Sequence, residues 1–163
     1  MTKKRIAIVP GSFDPITIGH LEIIKKAVES YDLVYVAVMI NPNKKYMFNL
    51  NERTLIVEES VSSFENVRVI SSDGWLWELA KKLGASAIVK GYRNDVDLKY
   101  EKEMASFNES KYPDGKTVLI KAEDNYLNIS STQVRTLLES GDNIDKYVPS
   151  KAVCAIKNIL DKK

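Results

Sequence analysis

Short apolar runs alternate along the chain with segments that carry a helical repeat of apolar residues. Residues 33–40, Leu-Val-Tyr-Val-Ala-Val-Met-Ile, form an almost continuous apolar run, which is typical of a strand buried on both faces. Leu21, Ile24 and Val28 instead recur at positions i, i+3 and i+7, which predicts a helix over roughly residues 19–30. Four more strands are predicted, at residues 5–9, 66–71, 86–90 and 117–121.

Further helical stripes separate these strands, and turn residues mark several of their ends. Gly84 follows one stripe as a fitting helix stop, and Ser130 or Ser131 suits the N-cap of a helix over residues 130–139. The other stripes comprise Val57, Val61 and Phe64, after a start near residue 51; Leu76, Leu79, Ala80 and Leu83; Tyr100, Met104 and Phe107; and Val153, Ile156 and Leu160, after Pro149.

This alternation predicts a single Rossmann-like α/β domain over residues 1–163, with a doubly wound five-stranded parallel sheet and helices on both faces. In such sheets ligands bind beyond the carboxyl ends of the strands, so the residues after each strand are the candidates for function.

Composition limits the classes of function. The net charge is only +2, which argues against a nucleic-acid binder driven by bulk charge, and no apolar stretch approaches the length of a membrane span. The single cysteine, Cys154, excludes an intrachain disulfide and a zinc site built on cysteines, and favours a reducing compartment. Its apolar helical setting predicts a small buried hydrophobic residue. We expect a cytoplasmic protein without nucleic-acid or membrane partners.

The first strand is followed by the segment 10–20, Pro-Gly-Ser-Phe-Asp-Pro-Ile-Thr-Ile-Gly-His. Gly11 permits close approach of a ligand to the backbone, and Ser12 offers a hydroxyl. His20, the only histidine, lies in the first turn of the next helix, whose N-terminus can bind phosphate. A capping Thr17 beside an incidental His20 is the alternative, but the position at a strand end favours a functional histidine.

Basic and hydroxyl side chains follow three other strands. Lys44 and Lys45 lie after the second, residues 90–93, Lys-Gly-Tyr-Arg, follow the fourth, and residues 130–132, Ser-Ser-Thr, follow the fifth. A solvated basic loop and simple helix capping are the alternatives at the second and fifth ends. The sequence contains no P-loop, no Gly-x-Gly-x-x-Gly and no Gly-x-Ser-x-Gly elbow. This inventory fits phosphoryl or nucleotidyl transfer stabilised by charge.

These motifs resemble the nucleotidyltransferase α/β-phosphodiesterase superfamily and, within it, the bacterial phosphopantetheine adenylyltransferase family, over nearly the whole chain. Residues 10–20 are nearly that family's first motif, with Thr17 where other branches have histidine, and residues 43–48 look like its Lys-Lys-x-Met-Phe loop. Residues 91–93, with Asp97, Tyr100 and Glu101, resemble its middle segment, and residues 129–132 with Val134 its late Ile-Ser-Ser motif.

The resemblance implies transfer of AMP from ATP to 4′-phosphopantetheine, with Mg²⁺, in coenzyme A biosynthesis. It also implies a homohexamer and coenzyme A as feedback inhibitor. The implied catalytic residues are Ser12, His20 and Lys44. The implied ATP-binding residues are Ser12, Phe13, His20, Lys90, Gly91, Arg93, Glu101, Ser130, Ser131 and Thr132. The implied acceptor-binding residues are Ser12, Lys44, Trp75, Leu76 and Lys90, with core packing as the alternative for Trp75 and Leu76. No residue is predicted to bind a metal.

The chain departs from the family pattern in its second half. Lys90 stands where Arg is usual, which keeps the charge but loses the bidentate fork. Tyr92, Leu98-Lys99 and Asn128 replace a usual Leu, Phe-Glu and an aromatic residue. Three other functions stay open: a nicotinate-mononucleotide adenylyltransferase, a cytidylyltransferase of the glycerol-phosphate type, and a non-catalytic nucleotide-binding module. The first two branches usually carry histidine at the position of Thr17.

Overall fold

A single parallel sheet organises residues 3–163, which the computed structural model describes. Its spatial order is β3-β2-β1-β4-β5, and all four strand pairs are parallel. The strands are β1 Ile6–Gly11, β2 Leu33–Met39, β3 Val67–Ser72, β4 Ala87–Tyr92 and β5 Lys116–Lys121. The chain winds outward from β1 in one direction through β2 and β3, then in the other through β4 and β5. The predicted doubly wound α/β fold is confirmed.

Helices cover both faces of the sheet. They are α1 Ile18–Ser30, α2 Leu50–Val61, α3 Leu76–Leu83, α4 Asp95–Lys111, α5 Ser131–Ser140 and α6 Ser150–Asp161. Alternate residues of β1 point to opposite faces, so Ala7 and Val9 join the larger hydrophobic cluster and Ile8 the smaller one. A short 3-10 helix, Asp124–Tyr126, lies between β5 and α5 and was not predicted. None of the helices in residues 3–163 has both the length and the apolar character that crossing a bilayer requires.

Strands β1 and β4 each end two residues later than the sequence predicts. The first strand was predicted to end at residue 9, but Pro10 and Gly11 pair with Ala37 and Val38 of β2. Pairing of β1 with β4 ends at Ile8, so Pro10 pairs with β2 only. Proline is tolerated at such a position because its missing N–H interrupts no hydrogen bonds to a second neighbouring strand. Strand β4 likewise continues through Tyr92.

The prediction that Cys154 is buried is wrong, because its side chain is exposed. Helix α6 turns Ala152 and Ile156 into the core. Cys154 lies two residues from each of them, about 200° around a helix with 3.6 residues per turn, so it faces outward. The apolar character of the segment predicted the helix correctly but not the side of the helix on which the cysteine lies.

The apolar stripe on α4 does not face the core either. Tyr100 is 57% exposed, and Asn108 is the buried residue of this helix. Trp75, 59% exposed, precedes α3, and its ring centroid lies 5.7 Å from that of Phe107. Together with Val96, which is also exposed, these side chains form an exposed apolar face, the kind of surface that marks protein–protein contacts.

The two faces of α6 predict a sharp contrast between two substitutions. Ile156→Ala should lower the free energy of unfolding by about 2–5 kcal/mol, since it opens a cavity in the core. Cys154→Ser, on the exposed side, should change it by about 0.5 kcal/mol or less. Urea unfolding of both variants beside the unsubstituted protein measures this, and similar losses for the two would contradict the assigned orientation of α6.

Candidate active site

A cavity of about 440 Å³ lies at the carboxyl edge of the sheet, where the prediction placed a ligand site. The ends of β1 and β4, the loop after β2 and the start of α5 all contribute to its wall. It brings together most of the predicted site residues: Ser12, Phe13, His20, Lys44, Lys90, Gly91, Arg93, Glu101, Ser130, Ser131 and Thr132.

Trp75 and Leu76 are not among the residues that line this cavity. Leu76 packs against the smaller hydrophobic cluster, so the core-packing alternative describes it, whereas Trp75 is largely exposed. Their predicted contact with an acceptor stays a prediction.

The imidazole of His20 is fixed by the cap of α1. Thr17 is the N-cap, and its Oγ1 accepts a hydrogen bond from the His20 backbone N–H at 3.3 Å. The Thr17 backbone N–H in turn donates to His20 Nδ1 at 2.9 Å. Nδ1 must therefore be unprotonated, which assigns the proton of the neutral ring to Nε2. Thr17 thus caps the helix and also sets the tautomer of the histidine.

His20 stays neutral at physiological pH. Burial lowers its pKa to about 4, and the positive charge of Arg93 acts in the same direction. The edge of the Phe13 ring, with centroids 5.1 Å apart, packs against the imidazole from another side. The cavity therefore contains a fixed neutral N–H donor rather than an imidazolium cation.

Gly11 makes room for Phe13. Phe13 has a φ of 49°, in the left-handed region, and is almost fully buried. A Cβ on Gly11 would lie 3.0 Å from the Phe13 ring, so a larger residue would push the ring out. Holding a non-glycine residue in that region costs on the order of 1–3 kcal/mol, which packing of the ring must offset. The sequence assigned Gly11 to ligand approach, and the structure adds this packing role.

The two basic residues at the end of β4 each pair with a carboxylate of α4. Lys90 Nζ donates to Glu101 Oε1 at 3.1 Å and lies 2.7 Å from Oε2. Arg93 Nε lies 3.3 Å from Asp97 Oδ2. Lys44, on the exposed loop after β2, brings a further positive charge to the rim. The carboxylates hold the β4 cations in place beside the cavity.

The three hydroxyls before and within α5 have different partners. Ser130 Oγ caps the helix by accepting from the Gln133 N–H at 3.1 Å. Ser131 Oγ donates to the Pro15 carbonyl at 2.7 Å, and Thr132 Oγ1 accepts from Arg135 Nη2 at 3.0 Å. Helix capping, the alternative given by the sequence, therefore accounts for one hydroxyl only. Residues 130–132, at the start of α5, line the cavity, and a helix N-terminus attracts anions.

Sequence reasoning missed the residues that hold the loop after β1. Asp14 is 3% exposed, and its carboxylate accepts from the backbone N–H groups of Met47 and Phe48, both at 2.9 Å. Arg53, in α2, is 1% exposed and donates to three backbone carbonyls. One signal was present: Arg53 shares a helix face with Ile56 and Val57, at i+3 and i+4, and so occupies a core position.

Comparisons with known proteins place this cavity in context. The sequence profile of the cytidylyltransferase-like family matches residues 8–137. The phosphopantetheine adenylyltransferase of Heliobacterium modesticaldum is 41% identical over 144 residues, 88% of this chain and 86% of its own. That of Alkaliphilus oremlandii is 41% identical over 154 residues, 94% of this chain and 98% of its own. That of Limosilactobacillus reuteri is 35% identical over 156 residues, which cover 96% of this chain and 90% of its own.

A solved structure shares the fold at low sequence identity. It is a Vibrio parahaemolyticus protein provisionally named nicotinate-nucleotide adenylyltransferase, with a TM-score of 0.65 and 20% identity. The match covers 94% of this chain and 99% of that one. It supports the architecture described above.

The environment of His20 predicts an unusual titration. Because His20 is the only histidine, one set of imidazole NMR signals reports its protonation. The midpoint should lie near pH 4, well below the ordinary 6.5. Arg93→Ala should raise the midpoint only in part, because burial is the larger cause of the lowered pKa. Since the folded state binds the proton more weakly than the unfolded state, the free energy of unfolding should decrease as pH falls from 6.5 toward 4. A midpoint near 6.5 would contradict the lowered pKa of this imidazole.

Proposed function

The chain belongs to the phosphopantetheine adenylyltransferase family, and we propose that its cavity transfers AMP from ATP to 4′-phosphopantetheine. A phosphate oxygen of the acceptor bonds to the α-phosphorus of ATP, and the bond from that phosphorus to the bridging oxygen breaks. The products are dephospho-CoA and pyrophosphate. The observation that carries the proposal is the convergence of His20, Lys90, Arg93 and the N-terminus of α5 on one cavity.

The cavity suits a reaction that depends on position and charge. A phosphate acceptor is already ionised at neutral pH, so attack on phosphorus requires no strong general base. The enzyme must instead align two anions and stabilise the charge that develops on the transferring group. Fixed N–H donors and cations, such as those of this site, supply that stabilisation.

His20 would donate from Nε2 to an oxygen of the α-phosphate. Its fixed tautomer supports this role, because the Thr17 N–H occupies Nδ1. Its neutrality means that the donor is present across the physiological pH range without a change of protonation state. Ser12, in the loop beside it, would contact phosphates of both substrates.

ATP would extend from His20 toward β4 and α5. Lys90 and Arg93 would bind its phosphates, with Gly91 permitting close approach of the backbone. The β- and γ-phosphates would meet the N-terminus of α5 at Ser130, Ser131 and Thr132, where free N–H groups and the helix dipole favour negative charge. Phe13 and Glu101 would complete the nucleotide site.

Lys44 would hold the phosphate of the acceptor. Its loop lies beside the loop after β1, since Asp14 accepts from the Met47 and Phe48 N–H groups. A cation there faces the region from which an acceptor phosphate must approach the α-phosphorus in line. Trp75 and Leu76 would contact the pantetheine arm farther away.

Mg²⁺ fits this cavity as part of MgATP. No cluster of three or more metal-ligating side chains occurs among residues 3–163, and the cavity's acids Asp14, Asp97 and Glu101 are already engaged. Mg²⁺ commonly binds through substrate phosphates and water with few protein ligands. Phosphate oxygens of ATP would therefore hold the ion, which would neutralise part of their charge.

Assembly and regulation follow the family resemblance. We propose a homohexamer, supported by the exposed apolar face of Trp75, Val96, Tyr100 and Phe107; a monomeric mass by light scattering would refute it.

Coenzyme A carries both the pantetheine arm and an adenosine, so it would inhibit by competing for the same cavity. The cytoplasm is the proposed compartment, supported by the single cysteine.

Release of pyrophosphate from ATP tests the proposed reaction. It should require 4′-phosphopantetheine, and nicotinate mononucleotide should not replace it. Absence of pyrophosphate release with either acceptor would favour the non-catalytic binding module. In the same assay His20→Ala should lower kcat about a hundredfold or more. A loss of this size corresponds to the ~3 kcal/mol of transition-state stabilisation typical of one charge-stabilising donor. Substrate binding should change far less, because the interaction strengthens mainly in the transition state.

Lys44→Ala should impair the use of phosphopantetheine at least as much as that of ATP. A hydrogen bond to a charged group is worth ~1.5–3 kcal/mol, so kcat/KM for the acceptor should fall roughly ten- to a hundredfold. Lys45→Ala is the comparison variant, since it removes the same charge from the same loop and Lys45 also lines the cavity; a smaller loss than for Lys44→Ala would assign the acceptor contact to Lys44 rather than to the charge of the loop. Loss of ATP affinity alone, with kcat and the acceptor KM intact, would show that the loop serves the nucleotide instead.

A further inference from the structure

One buried guanidinium connects the chain segments that carry Ser12 and Lys44. Arg53 Nη1 donates to the Ser12 carbonyl at 2.8 Å and to the Met39 carbonyl at 2.9 Å. Its Nε donates to the Phe48 carbonyl at 3.1 Å. These carbonyls lie just after β1, at the end of β2 and just before α2. A single side chain thus spans both ends of the loop 40–49 and the start of the loop after β1.

Asp14 connects the same two loops. Its carboxylate, in the loop after β1, accepts hydrogen bonds from the backbone N–H groups of Met47 and Phe48 in the loop 40–49. The Tyr46 ring lies over the guanidinium, with its centroid 3.9 Å from Cζ of Arg53. The Tyr46 hydroxyl accepts from the Asn41 N–H at 2.8 Å and closes the loop on itself. Lys44 therefore lies in a loop whose remaining freedom is limited by Arg53.

We propose that Arg53 is a positioning residue, which fixes the spacing between the Ser12 loop and the Lys44 loop and so aligns the acceptor phosphate with the α-phosphate. This inference rests on the proposed function. Arg53 itself is buried behind the loops, so it acts through the backbone of Ser12, Met39 and Phe48 rather than through a substrate. In a reaction governed by alignment, a displacement of about 1 Å can cost on the order of a hundredfold in rate.

Arg53→Lys tests the geometry while keeping the charge. An ammonium group lacks the flat fork that reaches three carbonyls and the planar face beneath Tyr46. We expect kcat to fall on the order of a hundredfold, with a far smaller change in the KM for ATP. We also expect faster trypsin cleavage after Lys44 and Lys45, because the loop is no longer held at both ends.

Asn66→Ala is the matched control for stability. Asn66 Nδ2 also braces two carbonyls, of Val28 at 3.3 Å and Tyr31 at 3.1 Å, but at the amino edge of the sheet away from the cavity. It should lower the melting temperature while leaving kcat and the cleavage after Lys44 near those of the unsubstituted protein. If Arg53→Lys behaves in the same way, with lower stability but unchanged kcat, the positioning role is overturned.

Tyr46→Leu and Tyr46→Phe decide the matter if Arg53→Lys does not fold. Phenylalanine keeps the ring over the guanidinium and leucine removes it, so kcat should be lower and trypsin cleavage faster for leucine than for phenylalanine. Equal values for the two variants would overturn the proposal. The unsubstituted protein serves as reference: absence of phosphopantetheine-dependent pyrophosphate release there would refute the proposed function itself, whatever the Arg53 variants do.

Discussion

The burial of the Arg53 charge is the constraint on which the cavity depends. Removing a guanidinium from water is costly, and burial lowers the pKa of Arg53, while the nearby Asp14 and Tyr46 oppose that shift. The fold must therefore supply acceptors, and it does so with three backbone carbonyls: those of Ser12 and Met39, which follow paired positions of β1 and β2, and that of Phe48. Because those carbonyls belong to the ends of β1 and β2 and the start of α2, satisfying one side chain fixes the geometry of two site loops.

Charge inside the cavity is arranged so that donors are fixed before any anion enters. Lys90 and Arg93 are held by carboxylates of α4, and His20 is held by the cap of α1. The neighbouring Arg93 also disfavours a proton on His20, so its positive charge helps to keep the imidazole neutral. Groups that need no reorganisation at the moment of reaction stabilise developing charge more effectively than mobile ones.

Local chemistry in the sequence predicted the strands, the helix stop at Gly84 and a cap at Ser130 or Ser131, of which Ser130 is the cap, because each depends on neighbouring residues. Contacts between distant segments could not be predicted in this way. Arg53 meets the Ser12 carbonyl 41 positions away, and Asp14 meets Phe48 34 positions away. Apolar periodicity also predicted which segments are helices better than it predicted what those helices contact. A stripe such as that of α4 has the same spacing whether it faces the core or solvent.

The replacement of the family's usual arginine by Lys90 becomes clearer in this geometry. An ammonium group has three donors, and both oxygens of Glu101 lie within 3.1 Å of Nζ. Glu101 therefore takes one hydrogen bond from Lys90, neutralises part of its charge and fixes its direction. What Lys90 can offer a phosphate is a single point charge, whereas a guanidinium paired with Glu101 would still have free donors in its fork. In the proposed function, recognition of the triphosphate would accordingly rest more on Arg93 and the N-terminus of α5 than on Lys90.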